Sequence, residues 1–247
     1  MNKINLDLIK NVIAISSGKG GVGKSTLAVN LALALKGLGG RVGLLDADIY
    51  GPSQALMLGA RDLRAESIDG KFVQPVMRYG IASMSIAYLM PEASQPAIWR
   101  GPMVSGALQQ LVRDTEWGEL DYLIIDLPPG TGDIQLTMAQ KISVTAAVVI
   151  TTPQDVSLID ARKAIEMMKK VNIPLLGLVE NMSMHICDAC GHSSAIFGKE
   201  GANKVAQEYD IPVLGRIPLA MSIREQVDQG CPPVVHEPRG VYAGYFF

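Results

Sequence analysis

The residues best suited to chemistry lie near the start of the chain, in Gly18-Lys19-Gly20-Gly21-Val22-Gly23-Lys24-Ser25, followed by Thr26. Their spacing, G-x-x-x-x-G-K-[ST], is that of a phosphate cradle. The glycines let successive backbone N–H groups turn inward and form a nest for phosphate oxygens. A helix starting at the loop would add the positive end of its dipole. Lys24 can reach β- and γ-phosphates, and the Ser25 hydroxyl can ligate magnesium. The chemistry implied is binding of ATP with Mg2+, and its hydrolysis. Lys19 places a second cation directly after the first glycine, where the loop is already positively polarised. A lysine that reaches phosphate charge, including that of a neighbouring subunit's nucleotide, accounts for it better than a structural role does.

Three carboxylates follow apolar runs: Asp46 and Asp48 after one, Asp126 after Tyr122-Leu123-Ile124-Ile125. In open parallel sheets ligands sit at the carboxyl ends of strands, so these groups are expected to converge on the phosphates. Asp126 reads as the group that holds magnesium through water, and Asp46 or Asp48 as the one that orients or deprotonates the attacking water. The plain alternative is that they cap helices or shape turns. Residues 128–133, Pro-Pro-Gly-Thr-Gly-Asp, are turn-rich and placed to sense a γ-phosphate as a switch loop does; Asp133 reads as the cap of the next helix. Asn181 carries an amide that can donate and accept at once, which suits either an adenine contact or a strand-end turn.

Cys187-Asp-Ala-Cys190 offers two thiolates at a spacing that grips one edge of a metal ion or cluster, whereas zinc or a cubane needs about four ligands. One chain supplies two, and a two-fold dimer would complete a set of four cysteines. His185 and His192 flank the pair and leave open a zinc site of two cysteines and two histidines within one chain. Cys231, without a partner in sequence, is expected to be a buried small hydrophobe, and the twelve methionines to be core fillers. Arg100 is read as pairing with a carboxylate or touching a partner subunit.

The elements that must position these groups alternate. Strands are expected at 11–16, 41–45, 122–125, 146–151, 175–179 and 213–217, with short ones at 73–76 and 81–85. Helices are expected at 24–37, 102–117 and about 156–171. This order predicts an α/β fold, a three-layer P-loop NTPase with a mostly parallel central sheet and helices on both faces. A single P-loop ATPase domain over residues 1–247, with 1–10 as a short extension, is the expectation. Hydrophobic residues make up 48% of the chain, enough for such a core, and the net charge of −2 argues against a nucleic-acid partner. Nothing approaches the ~20 apolar residues of a membrane span, and no signal peptide is evident; a cytoplasmic protein without membrane partners is expected.

The KGGVGKS form of the loop resembles that of the deviant-Walker ATPases, including the nitrogenase iron protein, MinD and ParA. That resemblance implies a dimer sandwiching two ATPs, with Lys19 crossing the interface. Taken together, GKGGVGKST, LLDADIYGPS, WRGPM, IIDLPPGTGD, VENMS and CDACG…IFG resemble the Mrp/ApbC-type iron–sulfur cluster carrier ATPases, from about residue 11 to 233. The resemblance implies a cytoplasmic homodimer that binds a [4Fe–4S] cluster between Cys187 and Cys190 of its two subunits. It would pass the cluster to apo iron–sulfur proteins, with ATP turnover gating the cycle. It assigns phosphate and magnesium roles to Lys24, Ser25 and Thr26, the first switch to Asp46 and Asp48, the magnesium carboxylate to Asp126, and adenine to Asn181. Many bacterial members carry a small domain before the ATPase, where here about ten residues precede it, and the ending HEPRGVYAGYFF departs from the usual closing helix. Two other readings share the nucleotide site: a MinD/ParA-like positioning ATPase, and a P-loop ATPase with a structural zinc knuckle.

Overall fold

The computed structural model describes residue 4 and residues 6–90, 101–187 and 189–247. Arg100 and the first half of WRGPM lie outside the described residues.

Among these residues nine strands form one sheet: β1 (Ile9–Ser16), β2 (Val42–Asp46), β3 (Val76–Arg78), β4 (Ile81–Met84), β5 (Leu120–Asp126), β6 (Ala146–Thr151), β7 (Leu175–Ile186), β8 (Ser193–Ser194) and β9 (Val213–Leu219). The order is β3-β4-β2-β5-β1-β6-β7-β8, with β9 also on β7. Pairing is parallel throughout the middle, and only β3 and β8 run antiparallel to their neighbours. Leu44, Leu45, Leu123, Ile124, Ile125, Ala14 and Ile15 are fully buried. Consecutive buried residues on one strand mean that both faces are covered, the pattern of a parallel sheet between helical layers.

Helix α1 (Lys24–Gly37) has the predicted bounds. Its run of Ala and Leu has high helix propensity, and it packs on β2 and β5. Beyond it lie α2 (Gln54–Met57), α3 (Gly101–Arg113), α4 (Asp133–Lys141), α5 (Asp155–Lys170), α6 (Gly201–Tyr209), α7 (Met221–Asp228) and α8 (Pro233–His236).

Several expectations are corrected. The strand expected at 73–76 begins only at Val76, and Val73 forms isolated bridges with Ser67 and Thr115. Helix α3 stops at Arg113, short of Trp117, whose indole N–H donates to Val112 O. The N-cap of α4 is Gly132, with Asp133 its first helical residue. Cys231 is half-exposed rather than buried. The chain end packs on α1 through α8 and a 3-10 turn at Ala243–Phe246, whose Phe246 is buried. Asn30 of α1, itself buried, accepts from Val234 N in α8 at 3.4 Å.

Candidate nucleotide site and cysteine ribbon

Parallel register puts the carboxyl ends of β1, β2 and β5 side by side: Asp46 is directly opposite Asp126, and Ile15 opposite Asp126 on the other flank. The loop of residues 18–23 follows β1, the strand beside that of Asp126. Gly23, at φ 90°, is the N-cap of α1. A Cβ there would lie 2.1 Å from Asn181 Nδ2, and one at Gly18 would lie 1.9 Å from the backbone oxygen of Asp160 in α5. Gly18 is therefore required by close approach, and Gly23 by close approach as well as by conformation. We expect Gly18→Ala to push the loop off α5 and lower ATP turnover about a hundredfold, the scale of an ångström misplacement. Phosphate-release kinetics would show it, and near-normal turnover would contradict this packing argument.

Lys24 is 6% exposed and Asp126 fully buried; Lys24 Nζ lies 2.5 Å from Asp126 Oδ1 and 3.4 Å from Ser25 Oγ. The expected magnesium carboxylate, the phosphate lysine and the magnesium serine are thus brought together. Asp48 is partly buried and accepts from Gly51 N at 3.3 Å. Its carboxyl is raised, chiefly by burial, with Lys24 acting in the opposite sense. Lys19 is half-exposed, and its carbonyl accepts from Ser17 Oγ at 2.9 Å. Gly130 of the turn-rich segment donates its N–H to Ser17 O at 3.0 Å, and Pro129 lies against Gly20, so this segment adjoins the phosphate loop.

Asp46 sits differently from Asp48. It is 1% exposed, Oδ1 accepts from Asp48 N, and Oδ2 accepts from Ser53 N, Gln54 N and Ser85 Oγ. Four donors on one carboxyl make it an anchor for the start of α2 and leave it poorly placed as a base. Burial above all, then Asp126 beside it, pushes its carboxyl up to about 7 from 3.8, against the lowering effect of Gln54 N–H, Lys24 and Asp48 N–H. The folded protein therefore holds this proton more tightly than the unfolded chain does. Asp46 favours folding most below about pH 4, and that contribution is lost as pH rises towards 7. We expect the melting temperature of Asp46→Asn in chelator, relative to the native chain, to rise from pH 5 to about pH 7 and level off above it. A difference independent of pH would contradict this assignment.

Asn181, on β7, is buried, and its Nδ2 donates to Val22 O at 2.8 Å, stapling the strand to the phosphate loop. The next residue, Met182, has φ 55°. Past this kink β7 continues to Ile186 and pairs with β8 as a two-residue antiparallel ribbon. The cysteines occupy its tip: Cys187 N donates to His192 O at 2.9 Å, and Gly191 N to Cys187 O at 2.8 Å. Cys187 is partly exposed, Cys190 exposed, and neither is in a disulfide. The His185 ring meets Leu219 O through Nδ1 at 3.2 Å. Among the described residues no three His, Cys, Asp or Glu side chains are placed to hold a metal ion within one chain.

Sequence reasoning missed Gln54 and Ser85. Gln54 Nε2 donates to Asp126 Oδ2 at 2.8 Å and to Ser25 O at 3.1 Å. Neither residue belongs to a spacing that signals phosphate or metal, and only the chain path brings them to the carboxylates.

A family model described as the NUBPL iron-transfer P-loop NTPase, of the ParA group, matches residues 8–246. The iron-sulfur cluster carrier protein of Salmonella typhimurium is 56% identical over 245 residues, covering 99% of this chain and 66% of the relative. The chain thus spans just under two thirds of that relative's length. The iron-sulfur cluster transfer protein NUBPL of Mus musculus is 50% identical, over 93% of this chain and 72% of its own. A nucleotide-binding protein from Archaeoglobus fulgidus, solved with ADP, superposes with a TM-score of 0.83 at 36% identity, covering 98% of this chain and 94% of that one. The cell division ATPase MinD of Pyrococcus furiosus superposes with a TM-score of 0.67 at 24% identity over 96% and 95%, a likeness of fold alone. Among the described residues no helix is long and apolar enough to cross a membrane. Family match, relatives and strand-end geometry agree: this chain belongs to the NUBPL-type iron-transfer P-loop NTPases of the ParA group.

Proposed function

We propose that the protein is a cytoplasmic, ATP-dependent carrier of [4Fe–4S] clusters. Two copies hold the cluster between Cys187 and Cys190 of each chain, and ATP hydrolysis gates its transfer to apo iron–sulfur proteins. The observation that carries this reading is the cysteine pair, Cys190 exposed and Cys187 partly so, at the tip of a ribbon continuous with the strand that bears Asn181. Two thiolates from one chain leave a four-ligand site half complete, and a two-fold mate supplies the rest. Met184, Ile186 and Ile196 near the pair are exposed apolar residues, a rim suited to burial against a second copy.

The nucleotide site fits ATP and magnesium on its donor set. Backbone N–H groups of residues 18–23 and Lys24 would take the phosphates, Lys24 exchanging its contact with Asp126 for phosphate oxygen. Ser25 Oγ and Asp126 would hold Mg2+ directly and through water; Thr26 would complete the phosphate contacts. Bound magnesium would neutralise charge developing on the phosphate oxygens. Asp48, nearer the surface than Asp46, would orient the attacking water, while Asp46 holds the switch segment around it. Lys19 would reach across to the partner's nucleotide, and Asn181 would offer its amide oxygen to the adenine amino group. Loss of the γ-phosphate would release the loops at Asp48 and Gly130. Because β7 joins Asn181 to Cys187 within six residues, movement at the loop has a short covalent route to the cysteines.

Family relatives carry this reading further than the positioning-ATPase alternative, whose support is fold alone. A single-chain zinc knuckle would need His185, His192 and both cysteines gathered on one ion, and among the described residues no three such side chains are so placed.

The test is transfer. Anaerobically loaded protein is mixed with an apo-acceptor of [4Fe–4S] type, with MgATP or MgADP, in the presence of an iron chelator. Chelator-resistant activation of the acceptor, faster with ATP, is expected. Activation that the chelator abolishes would sink the carrier reading.

A further inference from the structure

Gln54 is an unusual residue to find fully buried beside two carboxylates. Its carboxamide N–H2 faces two acceptors, Asp126 Oδ2 at 2.8 Å and Ser25 O at 3.1 Å. That pairing fixes the orientation of the amide, since a flip would aim its oxygen at a carboxylate and a carbonyl. The oxygen, Oε1, is buried and has no hydrogen bond among the described residues. An orphaned buried acceptor is unfavourable, and folded proteins keep few of them. Here it accompanies the holding of two groups that the nucleotide site needs.

The backbone adds a second tie. Gln54 opens α2, and its own N–H donates to Asp46 Oδ2 at 3.1 Å, beside that of Ser53 at 3.0 Å. One residue thus bridges the switch segment of residues 46–54, the backbone of Ser25 and the carboxyl of Asp126. Among the described residues the Asp126 carboxylate meets Lys24 on Oδ1 and Gln54 on Oδ2. A bound phosphate competes for Lys24, whereas Gln54 carries no charge and reaches the carboxylate from the side of α2.

We propose that Gln54 is the positioning residue of the magnesium site: it keeps Asp126 aimed, and Ser25 fixed beside it, once Lys24 has turned to phosphate. The proposal rests on the reading of the loop as a magnesium-nucleotide site. Gln54 touches neither nucleotide nor metal in this account. Its removal therefore weakens the magnesium-dependent part of nucleotide binding and spares the part made by the loop alone. Partners that orient metal ligands are commonly worth ten- to a hundredfold in metal affinity.

Calorimetric titration of ADP into the full chain, with Mg2+ and with EDTA, tests this in the native protein, Gln54→Leu and Gln54→Met. Both variants keep the volume and lose the two donors, so failure of one to fold does not end the test. Expected is a fall of at least about tenfold in the affinity gained from Mg2+, with binding in EDTA retained. A gain from Mg2+ equal to that of the native protein in either variant overturns the proposal. So does an equal loss with and without the metal, which would make Gln54 a structural residue of the loop. A native chain that binds no ADP in either condition would overturn the nucleotide reading itself, and this proposal with it.

Discussion

Lys24→Met is expected to lower ATP turnover by at least about a hundredfold, the effect of deleting one preorganised donor to developing charge. It is also expected to destabilise the nucleotide-free protein by about 3 kcal/mol. The second effect follows from burial. Lys24 and Asp126 are 6% and 0% exposed and lie 2.5 Å apart, with Asp46 on the neighbouring strand. Removing the cation leaves Asp126 next to a second carboxyl, with Gln54 as its remaining side-chain donor among the described residues. Adding Asp126→Asn to Lys24→Met removes the stranded charge, so stability should recover in large part while turnover does not. Urea unfolding together with phosphate release separates the two effects. An Lys24→Met protein as stable as the native chain would mean that the ion pair is not formed in solution.

The second large effect concerns the cysteines. Cys187→Ser and Cys190→Ser, singly or together, are expected to reduce iron and sulfide to background after anaerobic reconstitution. A bridging site that loses one ligand per chain loses two of four, and [4Fe–4S] ligation needs all of them. Because the ribbon tip is exposed, the substitutions should change folding stability by no more than about 0.5 kcal/mol. Retention of full iron by Cys190→Ser would exclude the bridging geometry. One zinc per chain bound by the native protein in place of iron would favour the knuckle.

How much of this could be read from the sequence differs from element to element. Helix α1 at residues 24–37 and β6 at 146–151 match their expected bounds, because each is fixed by local chemistry: an Ala/Leu run, an unbroken apolar stretch. The convergence of Asp46 and Asp126 was likewise legible from their place after buried-strand runs. The length of β7 was not. Its expected end at 179 is where the covered apolar run gives way to Glu180-Asn181-Met182, and a positive φ at Met182 breaks the pattern. Pairing with β9 and then β8 carries the strand on, and such pairing is non-local. Helix α6 was legible and overlooked: Ala202, Val205, Ala206 and Tyr209 keep helical spacing. Helix α2, by contrast, has four residues and is held by Asp46 rather than by any periodicity. For that reason the division of labour between Asp46 and Asp48, and the place of Gln54, could be learned only from the folded chain.

Sharing of one cluster by two chains through Cys187 and Cys190 is tested by anaerobic reconstitution with iron and sulfide, followed by sedimentation mass and iron analysis on the same fraction. A dimer carrying about four iron atoms is expected, with thiolate-to-iron absorption near ~400 nm that disappears in the double cysteine variant. Iron bound by a monomer, or a dimer whose iron survives loss of both cysteines, would contradict it.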